Sequence, residues 1–118
     1  MIIKNAYKVE KEIITDTGVK GTVKQNLLSN VDNTPTFSMR RFTITPGGFT
    51  FHHTHDFEHE IYVLSGKGYI KVKDGDRRIT QGTAGLIMPN EVHQFVNDGD
   101  EPLVFLCIIP NSMPGRSC

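Results

Sequence analysis

Two stretches of this 118-residue chain decide its fold and its chemistry. The first runs from Gly47 to Glu60 and reads GGFTFHHTHDFEHE, and the second runs from Pro89 to Asn97 and reads PNEVHQFVN. In a β-strand, residues i and i+2 point to the same face, so His53 and His55 can reach one ion from a single strand. Neutral imidazole is a common metal ligand, and His93 supplies another one from the second stretch. The pattern therefore predicts a metal site inside a β-barrel.

The composition limits the classes of protein to consider. Lys plus Arg and Asp plus Glu are equal at 13 each, so the formal net charge is zero and gives no basic footprint for nucleic acid or an anionic membrane. The beginning of the chain has no long apolar run, and no window approaches the ~18 apolar residues of a spanning helix. We therefore expect a single soluble cytoplasmic domain without nucleic-acid or membrane partners.

The spacing of apolar and turn residues predicts an all-β chain of about ten short strands. Sequences rich in Gly, Asn, Asp and Pro separate the apolar stretches, and helical periodicity is almost absent. The predicted strands lie within 2–14 and at 21–28, 37–45, 49–55, 61–64, 69–73, 77–80, 84–88, 93–96 and 103–109. Many short strands of this kind are typical of a sandwich or barrel. The folded domain is predicted over residues 1–109, followed by a flexible tail over 110–118.

The first stretch resembles the first motif of the cupins, a family of small jelly-roll barrels. That motif is G-(x)5-H-x-H-(x)3-4-E-(x)6-G, and Gly47, His53 and His55 fit it. After three intervening residues comes His59, and after six more comes Gly66, so this spacing is kept with histidine in place of glutamate. Four intervening residues lead instead to Glu60, the usual residue type, but the glycine then comes one residue early.

The second stretch resembles the second cupin motif, G-(x)5-P-x-G-(x)2-H-(x)3-N. Pro89, His93 and Asn97 fit this spacing. Gly82 precedes the proline by one residue more than the motif has, and Glu91 stands where the motif has glycine. The two motifs cover less than a third of the chain, and the strand rhythm of the rest agrees with a single-domain cupin-type jelly-roll β-barrel.

The whole chain also resembles the small single-domain cupins that use four histidines, commonly for manganese. It implies metal ligation by His53, His55, His59 and His93, with Mn(II) as the first expectation and Fe(II), Ni(II), Co(II) or Zn(II) as alternatives. It also implies a homodimer, in which residues 1–14 form an N-terminal strand arm that can be exchanged between protomers.

Several neighbouring residues leave alternatives open. His59 and Glu60 point in opposite directions if the strand has begun, so only one of them can be a ligand, and the Gly66 spacing favours His59. His52 is expected to point away from the site. Asn97 is expected to satisfy backbone groups in a turn.

The sequence leaves open where three other side chains lie relative to the barrel interior. Arg40 and Arg41 alternate between faces, so one of them can enter the barrel and pair with an anionic substrate, or both can be exposed. Cys107 is either a buried small hydrophobic residue or a neighbour of the metal. The candidate core and cavity-wall residues are Phe42, Phe51, Ile61, Val63, Tyr69, Ile87, Phe95 and Phe105.

Four neutral imidazoles leave the 2+ charge of a divalent ion uncompensated, which favours a small anionic or oxygen-chelating substrate. A six-coordinate Mn or Fe ion keeps two open positions, as in non-haem oxygenases. The first expectation is therefore a metal-dependent, dioxygenase-like oxygenase. A metal-dependent sugar isomerase or epimerase, or a non-catalytic small-molecule-binding cupin, are the alternatives. The catalytic residues are not identified from the sequence, and Glu60 and Tyr62 are only weak candidates.

Overall fold

The computed structural model describes residues 1–111 and is built mainly of antiparallel β-strands, with no α-helix in that range. Two 3-10 helices cover Ala6–Lys8 and Asn30–Asp32. The strands are β1 (Glu12–Ile13), β2 (Lys20–Leu28), β3 (Phe37–Phe49), β4 (His59–Ser65), β5 (Lys67–Val72), β6 (Gly75–Thr80), β7 (Ala84–Ile87), β8 (His93–Val96) and β9 (Leu103–Pro110). The all-β prediction is confirmed. Of the predicted tail, Pro110 belongs to the last strand, and residues 112–118 lie outside the described part of the chain.

The strands pair in the order β6-β5-β8-β3-β9-β4-β7, and β2 and β1 continue from β3 along a side branch. Long-range pairing of β3 with β9 places Phe42 beside Phe105 and Arg40 beside Cys107. Strand β9 in turn pairs with β4 and places Cys107 beside Ile61. The inner faces of these three strands therefore form continuous rows of side chains.

Aromatic side chains fill the centre of the core. The ring of Phe105 stacks on Phe42 at 5.3 Å between centroids and on Phe95 at 4.3 Å. Of the eight candidate core residues, Phe51 is half-buried, and Tyr69 lies on the outer side of β5 beneath the Arg78 guanidinium. Its neighbour Ile70 fills the core position instead, because register rather than residue type decides which face is inside.

Residues 46–48 do not separate two strands, as the predicted ranges 37–45 and 49–55 require. Strand β3 continues through these residues to Phe49, and its register with β2 jumps from the Thr22–Ile44 pair to the Lys20–Phe49 pair. The extra residues form a bulge, which bends a strand without ending it. A Cβ atom at Gly48 would lie 2.6 Å from the Lys20 carbonyl oxygen, so the close approach of the two strands requires glycine there.

The predicted strand at 49–55 is not a continuous strand. After Phe49 the chain follows β8 through separate backbone hydrogen bonds, including Thr50 N–H to the Phe95 carbonyl and an isolated bridge between His53 and His93. The two-residue alternation of burial nevertheless persists, with odd positions from 51 to 63 turned inward and the even positions between them exposed. The side-chain directions predicted for the histidines therefore hold without a regular ladder.

The N-terminal residues carry less strand than predicted. Within 2–14 only the two residues of β1 form a strand, and they pair with β2 of the same chain. The buried Gln25 side chain donates hydrogen bonds to the carbonyls of Ala6 and Val9 and so holds the 3-10 helix against β2. In the described range, no helix is long and apolar enough to traverse a bilayer.

Candidate metal centre

Strand β4 separates His59 from its alternative ligand Glu60 and from the weak catalytic candidate Tyr62. His59 is completely buried, as are Ile61 and Val63 on the same face. Glu60 and Tyr62 occupy the opposite face and are exposed. Because successive strand residues alternate between faces, Glu60 and Tyr62 are directed away from the histidine cluster.

Three histidines converge from two different segments. His53 and His55 come from the irregular segment before β4, and His93 is the first residue of β8. Paired backbone hydrogen bonds of 3.0 and 3.1 Å join His53 to His93 and fix the two segments side by side. The ligand atoms of these three imidazoles lie within 4.8 Å of one another, so the group can hold a metal ion.

His59 adjoins the same group. Its ring centroid lies 4.8 Å from that of His93 and 5.0 Å from that of His55. Its Nε2 atom lies 3.2 Å from Nε2 of His93. The structure thus brings together all four histidines that the sequence singled out, whereas His52 is exposed on the alternate face.

The hydrogen bonds of the ring nitrogens orient these imidazoles toward one point. Nδ1–H of His93 donates to the Glu91 carbonyl at 2.8 Å, and Nδ1–H of His55 donates to the Phe57 carbonyl at 3.2 Å. A carbonyl can only accept, so both rings keep their Nε2 lone pairs for the cluster. The Phe57 ring stacks on His55 at 4.1 Å and further restricts its rotation.

The fourth imidazole has a sulfur atom behind it. Nδ1 of His59 lies 3.0 Å from Sγ of Cys107, which can accept a hydrogen bond from Nδ1–H and so leaves the third Nε2 lone pair directed inward. Two nitrogens bound to one transition ion at ~2.1 Å, with angles of roughly 90–110°, lie about 3.0–3.4 Å apart. The 3.2 Å between Nε2 of His59 and Nε2 of His93 fits this requirement. The donor set therefore suits a divalent transition ion.

Burial keeps these histidines neutral. Desolvation, with smaller contributions from the neighbouring imidazoles, lowers the pKa of His53 to about 4 and that of His59 to about 2. Desolvation also lowers the pKa of His93 and outweighs the opposing effect of the Glu91 carbonyl. A neutral imidazole is the form that binds a metal, so the cluster is prepared for an ion at pH 7 without having to release protons.

Arg40 and Cys107 line the same interior. Arg40 is only 3% exposed, and its Nη2 group lies 3.3 Å from Sγ of Cys107. Arg41 points to the other face, where it donates to Gln25 at 3.0 Å. Of the two open alternatives, the arginine that enters the barrel is thus Arg40. Cys107 is buried and is also a neighbour of the histidines.

Asn97 has the structural role that the sequence suggested. Its side-chain amide donates to the carbonyls of Ile44 and Glu101, and its oxygen accepts from Gly99 N–H. Sequence reasoning left the position of Cys107 open and missed the carbonyls behind His55 and His93. Only the pairing of β3 with β9 could have revealed the position of Cys107. No pattern of residue types marks the backbone carbonyls that accept hydrogen bonds from His55 and His93.

Known proteins agree with this architecture. A profile of the cupin domain matches residues 40–109, which is more than half of the chain. The protein therefore belongs to the cupin family, whose members commonly bind metal.

Three individual proteins illustrate the range of this family. The polyketide cyclase RemF from Streptomyces resistomycificus is 31% identical, with a TM-score of 0.89 over 97% of this chain and 82% of its own. A predicted oxalate decarboxylase from Thermotoga maritima is 27% identical, with a TM-score of 0.81 over 93% of this chain and 99% of its own. An uncharacterized protein of Methanocaldococcus jannaschii is 29% identical over 107 residues, which cover 90% of this chain and 84% of that protein.

Proposed function

We propose that this protein is a metal-dependent enzyme acting on a small, oxygen-chelating organic substrate. The proposed ligands are His53, His55, His59 and His93. The observation that carries the proposal is the convergence of Nε2 atoms, 3.2 Å apart for His59 and His93, with the Nδ1 atoms held by acceptors outside the cluster. Mn(II) is the first candidate ion, and the same nitrogen donors also accept Fe(II), Co(II), Ni(II) or Zn(II).

The charge of the site selects the class of substrate. The four histidines are neutral ligands, and the buried polar side chains in the described part of the chain include no carboxylate. A divalent ion, when bound, supplies Lewis acidity that stabilises negative charge developing on substrate oxygens. Substrates with two neighbouring oxygens, at least one of them acidic, suit this site best.

The reactions named for two of the similar structures are redox-neutral overall and consume no dioxygen. Two of the similar structures above 25% identity carry the names of a polyketide cyclase and a predicted oxalate decarboxylase. Polyketides and oxalate both carry neighbouring oxygens that can chelate an ion. We propose that this protein catalyses a non-oxidative reaction of this kind. Its histidines would hold the ion, and Phe51 and Phe57, which stack on His53 and His55, would exclude water.

The test measures metal-dependent turnover in the absence of oxygen. The protein is purified with its native metal, the ion is identified by mass spectrometry, and diketones, oxalate and poly-β-ketone thioesters are followed by NMR under nitrogen. Turnover that is lost with a chelator and in His59→Gln, but kept in the outward control Glu60→Gln, is the expected result. Equal turnover by the metal-free protein would refute the proposal.

The oxygenase predicted from the sequence is the second candidate. Four protein ligands leave two positions on a six-coordinate ion, enough for a substrate oxygen and dioxygen. Oxygen uptake in an electrode with diketones, flavonoids or aromatic alkenes, abolished in His53→Ala, would support it over the non-oxidative reaction. Anaerobic aldose–ketose conversion would instead support the isomerase, and tight binding without turnover the non-catalytic cupin.

We also propose that the protein forms a homodimer through the outer face of the sheet. Phe37, Tyr62 and Leu86 are each about half exposed or more on the outer sides of β3, β4 and β7, and Met88, just after β7, is exposed to a similar degree. Apolar side chains on one face of a soluble domain favour association. Light scattering should give twice the chain mass, and Leu86→Asp should shift it toward the monomer. Exchange of the arm at 1–14 between protomers remains a separate prediction.

A further inference from the structure

A tight turn between β7 and β8 adjoins the histidine cluster. The Glu91 N–H group donates to the Met88 carbonyl at 3.2 Å, which closes a turn of four residues over 88–91. Pro89 at the second position and a left-handed Asn90, with φ of +66°, at the third are typical of a type II turn. Asparagine is one of the few residues other than glycine that adopt this conformation readily. The local sequence therefore specifies the backbone of this turn.

The side chain of Glu91 closes the turn a second time. Its Oε1 atom accepts a hydrogen bond from Met88 N–H at 3.1 Å, so both backbone groups of Met88 are bonded to Glu91. The second cupin motif has glycine at this position, and glycine carries no side chain that could make this contact. Glutamate is accommodated because the left-handed conformation falls on Asn90 and not on residue 91. The departure from the motif thus adds a contact within the turn.

The turn contacts two of the proposed ligands, one from each motif. Asn90 N–H donates to the His55 carbonyl at 2.7 Å, and the Glu91 carbonyl accepts from Nδ1–H of His93 at 2.8 Å. The first bond fixes the backbone that carries one imidazole, and the second fixes the tautomer and the ring direction of the other. A shift of the turn would therefore move both ligands.

The rigidity of the turn bears on the affinity for the ion. Ligands that are already ordered bind more tightly, because less order has to be gained on binding. If the turn opened, His93 could lose its Nδ1 acceptor and present either nitrogen to the ion. The Glu91 side chain is exposed, so it can act on the ion only through the turn or through its charge. These two routes can be separated, because glutamine keeps an oxygen acceptor but not the charge.

We infer that Glu91 is a positioning residue of the metal centre, whose side chain closes the turn that holds His55 and His93 in place before the ion arrives. The inference rests on the proposed function, because it takes both histidines as metal ligands. It adds to that function a residue that does not touch the ion and that the cupin motif does not contain.

The test compares Glu91→Ala, which removes the acceptor, with Glu91→Gln, which keeps it. Glu60→Ala is the matched control, because Glu60 is an exposed carboxylate beside the ligand His59 and is directed away from the cluster. Mn(II) affinity is measured by competition with a fluorescent chelator. In the metal-free protein, nitrogen NMR of isotope-labelled histidine shows which ring nitrogen of His93 carries the proton, and thermal unfolding shows that each variant is folded.

The expected result is a loss specific to the missing acceptor. Glu91→Ala should weaken Mn(II) binding by about 3–10-fold, the effect of one hydrogen bond, and should raise the share of His93 that carries its proton on Nε2. Glu91→Gln should stay within about twofold of the wild-type affinity and keep the Nδ1–H form. Glu60→Ala should match the wild type in both measurements.

A second pair of variants tests the turn without changing Glu91. Asn90→Ala disfavours the left-handed conformation at the third position of the turn, whereas Asn90→Gly retains it. Asn90→Ala should weaken Mn(II) binding in the same direction as Glu91→Ala, and Asn90→Gly should not. Equal affinities of the two Asn90 variants would show that the turn does not position the ligands.

Other outcomes would also overturn the inference. Unchanged affinity in Glu91→Ala, or a loss of affinity with the His93 tautomer unaltered, would separate Glu91 from the position of the ligand. Equal weakening in Glu91→Ala and Glu91→Gln would assign the effect to the charge of the carboxylate, and equal weakening in Glu60→Ala to surface charge in general. The proposed function stands in each of these cases, because the wild-type protein still binds Mn(II). A wild-type protein that takes up no Mn(II) refutes the proposed function and the inference together.

Discussion

Lowering the pH from 7 to 5 should destabilise the metal-free protein through its buried histidines. His59 is fully buried, and desolvation with neighbouring imidazoles lowers its pKa to about 2. The half-buried His53 has a pKa lowered to about 4 for the same reasons. An unfolded histidine titrates near 6.5. Between pH 7 and 5 the unfolded chain therefore takes up protons that the folded chain does not bind.

The magnitude follows from this difference in bound protons. A group that stays neutral when folded costs about 2 kcal/mol of stability as its unfolded form becomes protonated over this pH range. The value depends little on the folded pKa as long as it lies below 5. His59 should give the full effect and the more exposed His53 a smaller one, for a total of roughly 3 kcal/mol. The stabilisation is complete above pH 6.5 and is lost as the pH falls toward each folded pKa.

Urea denaturation at pH 7 and pH 5, with a chelator present, measures this change as a shift of the midpoint at constant slope. His59→Gln should lower the difference between the two pH values by about 2 kcal/mol, whatever it does to stability at pH 7. The control His52→Gln changes an exposed histidine and should leave the difference unaltered. Equal stability of the wild type at both pH values, or an equal effect of the two variants, would refute the assignment of neutral buried imidazoles.

Further outcomes follow from the site and its surroundings. Alanine substitution should empty or weaken the metal site, as measured by mass spectrometry of the purified protein, at each of His53, His55, His59 and His93. His52→Ala should leave occupancy nearly unchanged, and an equal loss there would contradict the alternation of faces. Gly66 and Gly82 share φ angles of +84° and +88°, but a Cβ atom at Gly66 would collide with the Pro102 carbonyl, whereas at Gly82 it meets nothing within 4 Å. Gly82→Ala should cost about 1 kcal/mol in urea denaturation and Gly66→Ala clearly more, and equal costs would disprove the collision. Glu60→Gln and Tyr62→Phe should change kcat/KM by less than about threefold, because both side chains face outward, and a larger loss would place one of them in the reaction.

The faces of the strands were predictable because a period of two needs only local sequence. His53, His55 and His59 occupy odd positions, and all three turn inward even though the segment carrying the first two lacks a regular ladder. The histidine spacing therefore predicted the histidine cluster as well as the fold. The same rule separated His59 from Glu60 once β4 was known to begin at His59.

Features that depend on register could not be read from the sequence. Arg40 and Arg41 are adjacent and chemically identical, and only the pairing of β3 with β9 determines which one lies inside. The choice of Ile70 over Tyr69 as the core residue has the same origin. The bulge at Pro46–Gly48 depends on the approach of β2, a contact that local turn signals cannot reveal.

A divalent ion in the proposed site would lie on the Nε2 side of the His59 ring, whose Nδ1 side faces Cys107 and then Arg40. Repulsion between positive charges is screened less in a buried site than in water. An anionic chelating substrate would offset the charge of the ion. Binding energies are reciprocal, so an anion that binds more tightly because of the ion must tighten the ion by the same factor. On this argument the metal and the substrate complete one binding site together.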